Sequence, residues 1–342
     1  MKKNLVLSSI LVLAAAASLG AQGLSSPVCP AGSGPQSNAL QDACQQASDV
    51  FQFMAPQLGV LLAGGNATLG TGSTLGGLGH FSIGVRGNIL NGTIPQLDQF
   101  SPRTTGASPS QQLPSKSQVL GLPTADAAIG IFGGLPLALT NVGGIDLLLS
   151  ATYVPTIGSG NKDFSLTPKQ NLQVGYGVRV GLLSESILVP GVSFTYLKRD
   201  LPTTTISGSA SYTTALGVTA ASFSVVDAKV KTSAWRIVAS KGLLLFGVAA
   251  GVGQDTYDFN SDITASITST LGGTSSTSIT TINPPMKRTN YFLDASLNLP
   301  LFKIVGEVGQ ASGGTMYSYN TFGTKRADRS LTYGSLGLRF AL

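Results

Sequence analysis

Few residues of this chain could carry out chemistry, and the clearest candidates are His80 and Ser82. They lie two positions apart, so both would point to the same face of an extended strand. A serine hydroxyl within hydrogen-bond reach of an imidazole can act as a nucleophile when a third group, here Glu307 or Asp146, orients the ring. A histidine beside a serine at the start of a strand is also common by chance. We therefore expect no catalytic site and no enzyme activity.

Metal, nucleotide and nucleic-acid binding find little support in the sequence. His80 is the single histidine, which excludes a histidine-rich metal site, and we expect neither a metal nor a cofactor. The glycine-rich run AGGNATLGTGSTLGGLG, residues 63–79, lacks the lysine of a phosphate-binding P-loop. The basic residues are scattered and the chain carries an export signal, so we expect no nucleic-acid partner.

The first residues form that export signal. Lys2 and Lys3 precede the apolar stretch from Leu5 to Ala17, which small residues follow, so residues 1–22 are predicted to be a cleaved secretory signal peptide. An even pair of cysteines in an exported chain usually oxidises. We expect a disulfide between Cys29 and Cys44. Closing a loop of this length stabilises a fold by roughly 3 kcal/mol.

The stretch NLQVGYGVRVGLL, residues 171–183, alternates between two kinds of side chain. Val174, Tyr176 and Val178 share one parity, whereas Gly177 and Arg179 share the other. Side chains of a strand point alternately to opposite faces, so this stretch is predicted to be a strand with one apolar face. With this stretch included, the pattern predicts ten candidate strands at residues 80–91, 124–134, 143–154, 170–183, 187–200, 225–239, 242–257, 288–299, 301–313 and 328–342.

The connections between these strands alternate between short and long. Outer-membrane β-barrels have short periplasmic turns and longer extracellular loops, so we predict an all-β fold in the bacterial outer membrane. The prediction is a closed antiparallel transmembrane β-barrel of about 10 strands over residues 80–342, with 12 or 14 strands as alternatives. An even number places both the N-terminal segment and the C-terminus on the periplasmic side. The long loops around Gly217 and Gly272 are predicted to be hairpins that extend beyond the bilayer.

Residues 23–79 do not have the barrel pattern. Leu40, Cys44 and Phe51 belong to a set of residues at helical spacing, which predicts a short amphipathic helix from Ser37 to Met54. Ser37 or Asn38 would cap its start. We predict that residues 23–79 form a periplasmic or plug segment that precedes the barrel.

Charged residues within the predicted strands have the parity of the small and polar side chains. A basic charge on the lipid-facing side costs about 2–4 kcal/mol near the middle of a bilayer, so these side chains are expected to point inward. They would either line a polar lumen or form a network that closes it against the N-terminal segment. Inward glycines would let that segment approach closely. The residues are Arg86, Asp146, Arg179, Arg236, Asp294, Glu307 and Arg339.

Most other basic residues fall at the predicted outer mouth, where they would pair with lipid phosphates or steer anionic solutes. They are Arg103, Lys116, Lys162, Lys169, Lys198, Arg199, Lys229, Lys231, Lys287, Arg288, Lys325, Arg326 and Arg329. Several aromatic residues suit the interfacial belts of a membrane protein. They are Trp235, Tyr153, Tyr196, Tyr291 and Tyr333.

The chain ends LTYGSLGLRFAL, in which Leu336, Leu338 and Phe340 face opposite Gly337 and Arg339. This end resembles the closing strand of bacterial outer-membrane barrels. With the short helical, glycine-rich segment ahead of the strands, the order of parts resembles the long-chain fatty acid transporter class. The resemblance implies a barrel partly plugged by the N-terminus that carries hydrophobic molecules.

These observations predict a porin-like passive channel or uptake protein for small molecules, with hydrophobic ones implied by the resemblance. A closed structural or surface-display barrel is the main alternative. A lipid-modifying outer-membrane hydrolase that uses His80 and Ser82 is a further one. The expected partners are outer-membrane lipids, a small-molecule cargo and, through the C-terminal strand, the barrel-assembly machinery.

Overall fold

The computed structural model describes residues 26–137, 139–158, 164–214 and 217–341. The predicted signal peptide, residues 1–22, lies outside them, as do Lys162 and Leu342. The described helices are α1 (Pro35–Ala63) and a short 3₁₀ helix (Leu97–Gln99). The described strands are β1 (Phe81–Pro95), β2 (Gln112–Leu113), β3 (Ser115–Phe132), β4 (Leu135–Leu137), β5 (Thr140–Val142), β6 (Ile145–Tyr153), β7 (Ser165–Pro168), β8 (Leu172–Leu183), β9 (Gly191–Asp200), β10 (Thr204–Thr214), β11 (Gly217–Leu243), β12 (Phe246–Ser269), β13 (Gly273–Ile282), β14 (Met286–Asn298), β15 (Lys303–Ala311), β16 (Thr321–Phe322) and β17 (Leu331–Ala341).

Ten of the described strands pair in one closed, antiparallel ring, which is called the ring below. Its order is β1, β3, β6, β8, β9, β11, β12, β14, β15 and β17, and β17 pairs with β1 to close it. The antiparallel all-β class predicted from the sequence is confirmed. Connections at one end are short, as at residues 184–190 and 244–245, and those at the other end are long, as at residues 96–114 and 312–330. We call these ends the short-turn rim and the long-loop rim.

At the long-loop rim, β11 and β12 continue beyond the ring. Together with β7, β10 and β13 they form a raised sheet. One face of this sheet packs on α1 through buried side chains such as Phe223, Ile263 and Ile267. The other face carries rows of hydroxyl groups, and the Oγ atoms of Ser222 and Ser266 lie 2.6 Å apart. The raised sheet therefore provides an apolar surface outside the ring, against which α1 packs.

Within the ring, most outward side chains are apolar and exposed, whereas the buried inward side chains include all the charged residues predicted to line the lumen, together with apolar ones such as Leu148 and Phe292. In β8, Val174 and Tyr176 are 60% and 59% exposed, whereas Arg179 is 2% exposed. The exposed apolar face continues around the ring through Ile83, Val85, Leu147, Leu149, Val178, Tyr196, Ile237, Val252, Leu293, Val308, Leu336 and Leu338. Among the described residues, no helix has the length and apolar character that a membrane crossing requires.

The inner segment, residues 26–80, runs through the middle of the ring. Near its start, Gln36 Nε2 donates to the carbonyl of Gly273 at the far end of the raised sheet (3.1 Å). Inside the ring, Asn88 Nδ2 donates to the carbonyl of Leu61 (2.9 Å). We expected this segment on the side of the C-terminus, but α1 begins at the long-loop side. The strand pattern does not predict the path of the chain ahead of the first strand.

The helix is also longer than its pattern predicted. It starts at Pro35 with Gly34 as the N-cap, and it continues past the predicted end at Met54 to Ala63. Pro56 lies inside it. A proline lacks the N–H that the helix ladder uses and so signals a helix end in sequence. Here most side chains from Asp42 onward are buried, so contacts on every face stabilise the helix through the proline.

Candidate functional site

Three buried arginines of the ring meet the C-terminal end of α1, and we call them the arginine collar. The collar comprises Arg86, Arg199 and Arg236. Arg236 donates to the carbonyls of Gly64 (2.9 Å) and Gly65 (3.1 Å). Arg199 Nη1 donates to the carbonyl of Ala63 (3.1 Å). The last carbonyls of a helix lack partners within the helix and carry partial negative charge, so guanidinium groups stabilise this end.

Each collar arginine also has a carboxylate partner. Arg236 Nη2 lies 2.6 Å from Asp255 Oδ1, and Asp126 lies between Arg86 (2.9 Å) and Arg199 (2.8 Å). Removing an ion from water costs several kcal/mol unless it is well paired, and each of these guanidinium groups has a carboxylate partner. On the described ring strands, the inward charged side chains are six arginines and five carboxylates: Arg86, Arg179, Arg199, Arg236, Arg288 and Arg339 with Asp126, Asp146, Asp255, Asp294 and Glu307.

Carboxylates of the ring bind the backbone of the inner segment after the helix ends. Glu307 Oε2 accepts a hydrogen bond from the Asn66 N–H (2.6 Å), and Asp294 Oδ2 accepts one from Asn66 Nδ2 (2.7 Å). Nearer the short-turn rim, Asp146 accepts from the Leu75 N–H (3.2 Å). Buried backbone without regular structure needs partners from elsewhere, and here the ring supplies them.

All seven charged residues predicted to line the lumen lie buried inside the ring. Arg179 reaches Asp146, with Nη2 and Oδ2 2.7 Å apart. The side chains that bond directly to the inner segment are Arg86, Asp146, Arg236, Asp294, Glu307 and Arg339. The sequence left open whether these side chains line a polar lumen or form a network against the N-terminal segment. In the structure they form a network against the inner segment.

Sequence reasoning misplaced three residues and missed others. Arg199 and Arg288 were assigned to the outer mouth and are 3% and 1% exposed, and the predicted interfacial Tyr333 is 3% exposed. Arg199 has the inward parity of Thr195, but its position near the end of a strand suggested the outer mouth. Tyr333 donates to Asn290 Oδ1 inside the ring (2.7 Å). The same parity argument would have found the missed inward residues Asp126, Asp255 and Asn290.

Beyond the ring, aspartates of α1 hold the long loops. The Asp49 carboxylate accepts hydrogen bonds from the backbone N–H groups of Tyr319 (2.8 Å) and Asn320 (3.1 Å). Burial raises the pKa of Asp49 to about 7, although these hydrogen bonds act to lower it. Asp42 accepts from the Arg103 N–H (2.7 Å), and burial raises its pKa to about 6. Two titratable groups thus connect the helix to loops at the long-loop rim.

The structure does not assemble the hydrolase arrangement. His80 is exposed, whereas Ser82 is buried and faces inward. Among the described residues, no hydrogen bond joins the His80 imidazole to Ser82, Glu307 or Asp146. Both carboxylates bind the inner segment instead.

A disulfide joins Cys29 to Cys44, and both residues are buried. It attaches the residues ahead of α1 to the helix itself. The start of the inner segment is therefore fixed to the same rigid element as its middle.

The inner segment leaves little free space beside the collar. A cavity of about 20 Å³ lies between the segment and the ring, lined by Thr68, Leu69, Arg86 and Leu338. A volume of this size holds about one water molecule. The inner segment and the ring are therefore in close contact at this place.

No protein-family model matches the chain, and no curated protein matches it. Solved structures with a similar architecture include the TodX deltaS2S3 mutant monoaromatic hydrocarbon channel, with 11% identity, 80% of this chain and 69% of that chain covered, and a TM-score of 0.36. For the transport unit of the autotransporter AIDA-I from Escherichia coli, the identity is 8%, the match covers 88% of this chain and 99% of that chain, and the TM-score is 0.30. For the anion-selective porin from Comamonas acidovorans, the identity is 12%, the match covers 77% of this chain and 98% of that chain, and the TM-score is 0.17.

These neighbours are outer-membrane β-barrels, and they do not specifically show the fatty acid transporter class. At these identities and TM-scores they transfer no function to this chain.

Proposed function

We propose that this chain is a β-barrel of the bacterial outer membrane and that its inner segment gates the passage of small molecules. The ring presents apolar side chains to its surroundings and polar side chains to its interior, which suits a bilayer outside and a wet or filled lumen inside. In a bilayer every backbone N–H and C=O must be paired, and a closed ring of strands meets that condition.

The observation that carries the gating role is the chemistry that holds residues 64–80. They bond to the ring through charged groups such as Arg236, Asp294 and Asp146. Water can replace hydrogen bonds of this kind when the segment moves, whereas a hydrophobic core would have to be exposed. A small apolar cluster, in which Ala67 and Leu75 pack against Leu148 and Leu197, would also open, and the charged side chains of the ring would then line the lumen. This favours polar solutes over the hydrophobic cargo implied by the sequence resemblance.

The test locks the segment to the ring. A Cβ at Gly181 would lie 3.6 Å from Thr74 Cβ, within the range of a disulfide. The double variant Thr74→Cys/Gly181→Cys should therefore cross-link the inner segment to β8. In planar bilayers we expect intermittent ion current from the wild type, none from the oxidised variant, and its return on reduction.

The single variant Thr74→Cys is the matched control and should conduct like the wild type with and without reductant. A locked variant that opens as often as the wild type would refute gating by the inner segment.

A closed structural barrel is the second candidate, favoured by the buried ion pairs of the interior. Deleting residues 26–79 separates the two roles. A folded deletion variant, identified by its heat-modifiable gel mobility, conducts steadily if the segment is a gate. A folded variant that never conducts supports the structural role. In either case we propose that β17, which closes the ring on β1, presents the chain to the barrel-assembly machinery.

A further inference from the structure

A concave group of lysines lies on the outer wall of the ring at the long-loop rim. We call it the lysine pocket, and it comprises Lys169, Lys198, Lys229 and Lys231. Lys198 belongs to β9, and Lys229 and Lys231 belong to β11, all with outward parity. Two adjoining hollows of about 420 and 170 Å³ share Lys231 and Asp200 in their walls. The lysines therefore line a concave surface on the outer wall of the ring.

Asp200 and Asp258 line the smaller hollow together with Lys198 and Lys231, so the four lysines of the two hollows outnumber the two aspartates. Lys169 forms an ion pair with Asp227, with Nζ and Oδ1 2.6 Å apart. Among the described residues, Lys198, Lys229 and Lys231 form no ion pair within 4 Å. These ammonium groups can therefore bind an anion without first breaking a contact.

The pocket adjoins the exposed apolar face of the ring. Val174 and Tyr176 line the smaller hollow and are 60% and 59% exposed. Trp235 lies four positions from Lys231 on the same strand face, about 13 Å away at the usual strand rise, and it stacks on Phe194. Aromatic side chains at such a boundary suit the interface between head groups and acyl chains.

Hydroxyl-binding groups stand among the lysines. Gln170, Gln173 and Thr203 line the larger hollow, and Asp200 lies between the two hollows. Carboxylate, amide and hydroxyl groups form hydrogen bonds to sugar hydroxyls, and ammonium groups bind phosphate. The mixture fits a head group that carries both sugar and phosphate, with apolar chains below it.

We propose that the lysine pocket binds the head group of a phosphorylated glycolipid, with the acyl chains of the lipid lying along Val174 and Tyr176. The inference rests on the proposed outer-membrane location and adds a lipid site on the outer wall that is separate from the gated interior. Lys198 and Lys231 contact phosphate, and Asp200 and Gln173 contact sugar hydroxyls. The lipid thereby covers β8, β9 and β11 at the rim.

Trp235 is the single tryptophan, so its emission reports on this wall. The refolded protein in uncharged detergent micelles would be titrated with bis-phosphorylated lipid A and, separately, with lipid A from which both phosphates have been removed. We expect saturable binding of the phosphorylated form and at least tenfold weaker binding of the other. The double variant Lys198→Gln/Lys231→Gln should bind the phosphorylated form roughly tenfold to thirtyfold more weakly, since each basic side chain near an anionic lipid contributes about fivefold.

The matched control is Lys116→Gln/Lys287→Gln, which removes the same charge from exposed positions outside the pocket and should bind like the wild type. Equal weakening in both double variants would overturn the site, as would equal binding of the two lipids. Full competition by millimolar inorganic phosphate would show a free-anion site instead of a lipid site. Heat-modifiable mobility is scored first in each sample, so a chain that is not a membrane barrel fails there, before any lipid result.

Discussion

The charged side chains inside the ring form buried ion pairs. Arg236 joins three parts of the molecule at once: its own strand, the carboxylate of Asp255 on β12, and the carbonyls that end α1. A buried pair adds little net stability compared with an apolar pair. Removing one partner is costly, because a charge is then left alone away from water.

Arg236→Gln should therefore destabilise the fold by about 3–5 kcal/mol, since Asp255 would stay buried without its cation. Urea unfolding in lipid vesicles, followed through the neighbouring Trp235, measures the change. The double variant Arg236→Gln/Asp255→Asn removes both charges and should recover part of the loss. If the double variant recovers none of the lost stability, the ion pair between Arg236 and Asp255 does not couple these residues.

Asp49 gives the contact between helix and loop a dependence on pH. Burial raises its pKa from 3.8 to about 7, so the stability linked to this group is fully present below about pH 4 and is lost as the pH rises through about 7. The expected loss is up to roughly 4 kcal/mol. The thermal midpoint of the wild type, followed by near-ultraviolet circular dichroism, should fall between pH 4 and pH 8.

Asp49→Asn is neutral throughout this range and should show a flatter profile, with the remaining slope from Asp42. Asp258→Asn changes an exposed aspartate and serves as the control. A wild-type midpoint that rises with pH would contradict the assignment.

At the scale of elements, α1 lies in two environments. Its N-terminal part packs on the apolar face of the raised sheet, and its C-terminal end lies within the arginine collar. Between these regions the helix approaches β12 closely at Gly59, where a Cβ would lie 2.7 Å from Cδ1 of the Tyr257 ring. Glycine at this position sets the distance between helix and ring.

Gly59→Ala should cost about 1–3 kcal/mol in urea unfolding. The buried Tyr257 ring must shift, and overpacking of this kind outweighs the gain of about 1 kcal/mol in helix propensity. Gly87→Ala is the matched substitution at a strand position with open space around the new methyl group, and it should be close to neutral. Equal costs at both positions would argue against a tight contact at Gly59.

The strands were predictable because a ring with different surroundings inside and outside imposes a period of two on every strand. β8 differs from its predicted bounds by a few residues at most. The starts of β3 and β11 were placed too late, because there the chain leaves the apolar surroundings and the pattern weakens. Long-range partners, such as Arg199 with Ala63, depend on how the inner segment threads the ring, and no local pattern encodes that path.

At the scale of the whole molecule, the protein is apolar outside and charged inside. Leu149 lies in the middle of β6 and Tyr153 at its end, and both are exposed on the outer face. Leu149→Arg should destabilise the folded protein in bilayers by about 2–4 kcal/mol, and Tyr153→Arg by about 0–1 kcal/mol. Reversible folding into lipid vesicles measures both. Equal effects would argue against a bilayer around the ring.

The inner segment precedes β1 in the chain, yet it lies inside the circle that β1 and β17 complete. Once that seam has formed, α1 can leave or enter only lengthwise, because no gap remains in the wall for a helix to pass. The segment must therefore be in place before β1 and β17 pair, or thread through an open end afterwards. A ring that closed without the segment would enclose an empty, charged interior.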